Sequence, residues 1–214
     1  EYLDIDPDEV KLDPPPKYKD KVHKKELQLI KSYSEKLKDD EFIDEVTIQD
    51  EDLEEPFYRY LRDNELRIDK DIMKQINRDT SSLVHKFKIF YNRPRPHQVD
   101  DDIKEIDNIA GKSPSYPSGH STNSYVMGEY LANKFPEHAD ELRNIGKRVG
   151  LNRVIVGLHH PTDHMAGVKL GEQIVRTIPG MDDVKKSDAF MDELFKYMAH
   201  REELFKDMTQ IGGQ

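Results

Sequence analysis

Apolar residues in this chain recur every three or four positions, in stretches cut short by proline or glycine. That period belongs to α-helices that bury one face, and it constrains the fold more than any other feature. Val22, Leu27, Ile30, Tyr33 and Leu37 share one stripe, and Ile72, Ile76, Leu83, Phe87 and Phe90 a second that runs towards Pro94 and Pro96. Met127, Tyr130, Leu131 and Phe135 form a third, closed by Pro136. Leu142, Ile145, Val149 and Val156 form a fourth; Leu170, Ile174 and Ile178 a fifth; Met191, Leu194, Met198 and Phe205 a last. Gly167 and Gly171 are spaced to admit a neighbouring helix closely. Residues 40–69 are too charged for a confident register, although Phe57, Tyr58 and Leu61 suggest a short helix. No run alternates with the period of two that strands require. The expectation is an all-α, single-domain helical bundle.

Residues 1–17 form an extended acidic arm with a Pro14-Pro15-Pro16 run. Its Asp4, Asp6 and Asp8 lack the sixth-position glycine and closing glutamate of a calcium loop, so they read as a solvated face. The helical domain is expected over 18–207, and 208–214 is a tail. No stretch approaches the ~18 apolar residues of a membrane-spanning helix, so the chain is expected to be soluble, without integral membrane association. Its net charge of −10 opposes general affinity for nucleic acid, yet allows a local basic pocket for small anions. The chain has no cysteine, which removes thiol chemistry and disulfides. Compartment and oligomeric state are open, a homo-oligomer included.

Three clusters carry chemistry. In the first, Lys88-Ile-Phe-Tyr-Asn-Arg93-Pro94-Arg95-Pro96, Lys88 and Arg95 stand seven apart, about two helical turns, and two cations on one face suit a phosphate dianion. The same spacing joins Lys86 to Arg93, so the register is ambiguous. In the second, Ser115-Tyr116-Pro117-Ser118-Gly119-His120-Ser121, Ser118 suits an N-cap. The free amides of Gly119 and His120 then mark an anion site, with His120 placed for proton exchange.

The third is Arg153-Val-Ile-Val-Gly157-Leu-His159-His160-Pro161-Thr162-Asp163. Gly157 offers a break that lets His159 turn back towards Arg153. Pro161 suits the first turn of a new helix, placing Asp163 near its third position, within reach of one His159 nitrogen. That contact sets the tautomer and leaves the other nitrogen free as a nucleophile. His159, His160, Asp163 and His164 are also metal-ligand types, but no HExxH pattern is present and the nearby arginines repel a cation, so no metal is expected.

In this order the clusters resemble the signature of the phosphatidic acid phosphatase type 2 (PAP2) superfamily: Lys-x6-Arg-Pro, Pro-Ser-Gly-His, then Ser-Arg-x5-His-x3-Asp. In style they are nearest the soluble bacterial class A non-specific acid phosphatases, with vanadium haloperoxidases as relatives. The resemblance implies a metal-independent phosphomonoester hydrolase without a cofactor, whose site also accepts vanadate. It implies Lys88, Arg95, Arg153, Ser118 and Gly119 as phosphate ligands, His120 as general acid, His159 as nucleophile and Asp163 as its partner. It favours Lys88 with Arg95, because related phosphatases carry a basic residue two positions before the motif arginine, as Arg93 stands here. Asn152 replaces the usual Ser. A small phosphorylated substrate is expected. A vanadium-dependent haloperoxidase, or action on lipid phosphates or diphosphates, are the alternatives.

Overall fold

Helix α6 (Gly119–Lys134) shows why this chain forms a bundle. It has no single apolar face: Ser121, Thr122, Ser124, Val126, Met127, Gly128, Leu131 and Ala132 are all buried, so it is covered on several sides. Helices α4 (Lys70–Tyr91), α7 (Ala139–Ile155) and α8 (Pro161–Val175) supply that cover. The computed structural model describes residues 10–34, 40–104 and 112–181. Within them, α1 (Lys21–Ser34), α2 (Asp40–Glu51) and α3 (Glu55–Asp63) precede α4, and the single turn α5 (Pro96–Val99) follows it. A 3-10 turn at Pro136–His138 joins α6 to α7. Every regular element among the described residues is helical, so the chain is all-α. The stripe ending at Phe205 lies outside the described residues, as do Leu37 and Asp4, Asp6 and Asp8.

Close contact around α6 depends on small residues. A Cβ on Gly146 of α7 would stand 2.5 Å from the Ser124 carbonyl oxygen. One on Gly167 of α8 would stand 2.6 Å from the Ser118 carbonyl oxygen and 2.9 Å from Ser121 Cβ. Gly171, a turn later, faces the Tyr125 ring. Since Ser118 caps α6, Gly167 controls the helix start that borders the candidate site. Gly167→Ala is expected to cost about 1–3 kcal/mol, the usual range for overpacking. A urea titration should show the midpoint lowered at unchanged slope; an unchanged midpoint would contradict the tight contact.

The main core runs from Phe57 and Leu61 of α3 through Met73, Ile76 and Leu83 of α4 to Met127, Leu142, Leu170 and Ile174. Burying a side chain such as Phe57 contributes about 1.5–3 kcal/mol. Phe57, Tyr58 and Leu61 are buried together in the short helix α3. Two stripe residues depart from expectation: Val22 and Phe90 are exposed, Phe90 at 79%. Phe90 stands in the last turn of α4, and its ring meets Tyr91 edge-on. Helix α2 was not anticipated. Phe42 and Val46, one turn apart, bury against Leu151 and Ile155 of α7 and Val156 just beyond it. The described part of the arm is docked on the body: Val10 joins the core, and Lys11 exchanges backbone hydrogen bonds with the Gln173 side chain. Tyr91 and Tyr116 donate to the carbonyls of Leu12 and Asp13.

Candidate active site

The third cluster is shaped by two local motifs. Helix α7 ends in a Schellman turn, with Gly157 N–H donating to the Val154 carbonyl (3.0 Å) and Leu158 N–H to that of Arg153 (3.0 Å). Gly157 has φ +79°, a left-handed conformation that side chains with a Cβ rarely adopt. The chain thereby reverses, and the His159 amide returns to the Arg153 carbonyl at 3.2 Å. Pro161 then opens α8, and Asp163, its third residue, accepts from the His160 amide at 2.8 Å. One cap thus orients both the helix and the carboxylate.

Asp163 is fully buried and sits between several donors. Its Oδ2 accepts from Ser115 Oγ at 2.5 Å and lies 3.1 Å from His160 Nδ1 and 3.4 Å from His159 Nδ1. Its Oδ1 takes a 2.6 Å hydrogen bond from Arg93, whose other nitrogen donates to Glu26 of α1 at 2.8 Å. Burial alone would raise the Asp163 carboxyl. Hydrogen bonds from His159 and His160 and the charge of Arg93 outweigh it and hold the group well below the ordinary carboxylate range. Arg93 therefore stands behind the carboxylate as its counter-ion.

A cavity of about 370 Å³ opens on the other side of His159. Lys88, Arg95, Arg153, Gly119, His120 and His159 all line it. Arg95 is fixed by donation to the Ser113 and Leu158 carbonyls (both 2.9 Å), and its guanidinium lies 3.4 Å from His159 Nε2. Arg153 is fully buried and donates to Asp50 of α2 at 3.1 Å, while its Nε has no protein partner. An unpaired buried guanidinium N–H on a cavity wall is a donor awaiting an acceptor. Lys88 donates to the Pro114 carbonyl. Lys86 is exposed and outside the cavity, so the two equally spaced cation pairs separate: Lys88 and Arg95 face His159, and Lys86 and Arg93 do not.

Ser118 is fully buried and caps α6. Its Oγ accepts from the Ser121 amide (3.3 Å) and hydroxyl (2.9 Å), so the side chain sits behind the cavity wall, and the adjacent Gly119 forms the surface. His120 lies at the cavity mouth, with Nε2 3.6 Å from Asp50. Asn152, at the position where the resemblance has Ser, is buried and donates to Gln49 (3.2 Å) and Glu45 (3.3 Å). It ties α2 to α7 one residue before Asp50. Asp50, Ser113, Ser115 and Glu26 were not singled out from sequence. Polar residues of such common types carry no spacing signal until the helices are packed.

Burial, reinforced by the charge of Arg95, drives His159 well below the usual imidazole range; the Asp163 hydrogen bond opposes this only partly. The ring is neutral at pH 7, with Nδ1–H directed to Asp163 and the Nε2 lone pair towards the cavity. Burial and then the charge of Arg153 likewise lower His120. Burial and then Arg95 push Lys88 down to about 7. Arg153, lowered by burial to about 10, stays charged. Among the described residues no group of three or more His, Asp or Glu is arranged to hold a metal ion. His164 points to α6, with Nδ1 2.7 Å from Ser121 Oγ.

Lys88, lowered to about 7, is expected to make any oxyanion affinity of the cavity depend on pH. A bound dianion favours the ammonium, so binding above pH 7 takes up a proton and weakens as pH rises. The affinity for tungstate, a dianion throughout this range, is expected to fall by roughly tenfold per pH unit above 7. Calorimetry in buffers of different ionisation enthalpy should show about one proton taken up. Lys88→Met should remove both effects; an unchanged pH slope in that variant would exclude Lys88 as their source.

An all-helical bundle with two imidazoles, a lysine and two arginines around one cavity belongs to a recognisable class. Residues 80–182 match the model of the PAP2 superfamily, and that segment is similar to it. The chain is similar to an acid phosphatase of Zymomonas mobilis, 29% identical over 121 residues, covering 54% of this chain and 45% of that protein. It is also similar to the non-specific acid phosphatases of Salmonella typhi (37%) and Salmonella typhimurium (36%). Each of those matches runs over 87 residues, 39% of this chain and 35% of the relative. The matched stretches thus span less than half of these curated relatives. No described helix is long and apolar enough to cross a membrane.

Proposed function

We propose that this protein is a metal-independent phosphatase that hydrolyses phosphomonoesters through a covalent phosphohistidine on His159. One observation carries the reading. The Nε2 of a neutral, carboxylate-oriented His159, 3.4 Å from the Arg95 guanidinium, and the ring of His120 line the same cavity, together with Lys88, Arg95 and Arg153. The names of the relatives and the family match support it at the level of phosphatase.

In this scheme the phosphoryl oxygens lie against Arg95, Arg153, Lys88 and the Gly119 amide. Their charges stabilise the equatorial oxygens of the transition state. His159 Nε2 attacks phosphorus in line, forming the N–P bond as the ester P–O bond breaks, and protonated His120 gives its proton to the departing alkoxide. Asp163 stabilises the imidazolium character that develops on His159. Neutral His120 then takes a proton from water as that water cleaves the N–P bond, releasing phosphate. The three fixed cations supply the charge that a metal would otherwise provide, and they repel a divalent ion from the same place.

Because burial and neighbouring cations hold His120 below the usual range, the free protein carries the proton needed for the first step only in acid. Turnover of alkyl phosphates is therefore expected to rise as pH falls below 7. The decisive experiment is a panel of aryl phosphate, sugar phosphate, nucleotide, lipid phosphate and pyrophosphate, assayed with EDTA and with vanadate. Turnover that survives EDTA and is blocked by vanadate is expected. Activity abolished by EDTA and restored by a divalent ion would refute metal independence, and no hydrolysis of any ester would refute the phosphatase reading.

A further inference from the structure

The cavity extends well past the cationic end. Asn77, Ser81, His85 and Lys88 line it from α4 at helical spacing, forming one stripe along that helix. The eleven residue steps from Asn77 to Lys88 span about 16 Å at 1.5 Å each. Residues 50–54 run alongside: Asp50 pairs with Arg153 at the cationic end, whereas Glu54 accepts from Asn77 at 2.9 Å at the other. Glu51, exposed, lies on the cavity wall between them.

The far half of the groove carries Glu51 and Glu54 beside the polar side chains of Asn77, Ser81, His85 and Asn123. Asn123, one turn after Gly119 on α6 and only 6% exposed, donates to Asn77 (2.6 Å) and Ser81 (2.7 Å) and also lines the cavity. Its own Oδ1 has no partner. The lysine and arginines of the cavity, Lys88, Arg95 and Arg153, all stand at the opposite end. A ligand that fills the groove therefore meets cations at its phosphate and carboxylates along its leaving group.

We propose that this groove selects phosphomonoesters whose leaving alcohol carries an ammonium group away from the phosphate, and discriminates against those carrying a second anion. The inference rests on the phosphatase reading of the cationic end and goes beyond it by naming the substrate class. The physical cause is Coulombic. An ammonium beside Glu51 and Glu54 is attracted by their carboxylates. A second phosphate or carboxylate there is repelled, as specificity through opposing charge requires. Diphosphates and bisphosphates are disfavoured for the same reason.

Three esters of equal length isolate the effect: 6-aminohexyl phosphate, hexyl phosphate and 5-carboxypentyl phosphate. Their terminal groups lie too far from the ester oxygen to alter its leaving ability appreciably, so differences in kcat/KM report the groove. The ammonium ester is expected to exceed the carboxylate ester by about tenfold at low ionic strength, with hexyl phosphate between them. The ratio should shrink in about 0.5 M salt, where the Debye length falls towards a few ångströms. Glu51→Gln, at an exposed position, should lower the ratio, and Glu54→Gln should lower it separately.

A ratio of one, a preference for the carboxylate ester, or a ratio untouched by both substitutions would overturn the inference. If neither hexyl phosphate nor p-nitrophenyl phosphate is hydrolysed, the phosphatase reading fails instead. Calorimetric affinities for the same three esters then decide the groove, with the same order expected and its absence overturning it.

Discussion

Replacing His159 by alanine is expected to lower kcat for p-nitrophenyl phosphate by a factor on the order of 10⁴ or more, since it removes the imidazole nitrogen that forms the N–P bond in the proposed covalent route. Tungstate binding should survive within a few fold, because Arg95 and Arg153 are held by the Ser113 and Leu158 carbonyls and by Asp50, not by the imidazole. The fold should survive too, since Asp163 keeps Arg93, Ser115 and the His160 amide. His120→Ala supplies the complementary test. Its loss of about 10²–10⁴-fold should be largest for alkyl phosphates and smallest for p-nitrophenyl phosphate, whose phenolate leaves without a proton. Labelled substrate quenched without acid should leave its phosphate on the protein in that variant. Near-normal turnover by His159→Ala would end the covalent account.

Replacing Arg93 by methionine should produce the largest loss of stability. Arg93, Glu26 and Asp163 are each about 5% exposed or less, and the guanidinium bridges the two carboxylates at 2.8 and 2.6 Å. Removing one member of a buried ion group leaves uncompensated charge and costs about 3–5 kcal/mol. That is a large share of the roughly 5–15 kcal/mol that holds a typical domain folded. Without the cation, Asp163 loses one of the influences that hold its carboxyl below the ordinary range, so its folded-state pKa rises. The stability that the depressed carboxyl contributes at neutral pH is lost as pH falls, so the gap from wild type should narrow in acid. Adding Glu26→Gln should recover part of the loss in a double-mutant cycle. A urea-derived loss below about 1 kcal/mol would show that the bridge is not the support described here.

Both predictions concern residues that differ in how visible they were beforehand. Helices α4, α6, α7 and α8 follow apolar stripes and proline or glycine stops that can be read along the chain. The break at Gly157 and the start at Pro161 with Asp163 third were equally legible, because a Schellman turn and a capped first turn depend on neighbours within about six residues. Helix α2 was not legible. Its sequence, DEFIDEVTIQDE, offers only Phe42 and Val46 as a clear apolar pair, and it is held partly by Asn152 reaching Gln49 and Glu45 from α7.

The sequence by itself determined the all-helical class, the main helix breaks and the set of ionisable residues available for chemistry, since these follow from periods and turns short enough to be local. Only the tertiary structure decided which of two equally spaced cation pairs faces His159, that Arg93 stands behind Asp163 with Glu26, and that α2 brings Asp50 to Arg153. Lys86 and Lys88 differ by two positions, about 200° around a helix, so their fates were settled by which face of α4 meets α6. Glu26 and Arg93 are 67 residues apart. No local rule reports a pairing that exists only because the bundle has closed around it.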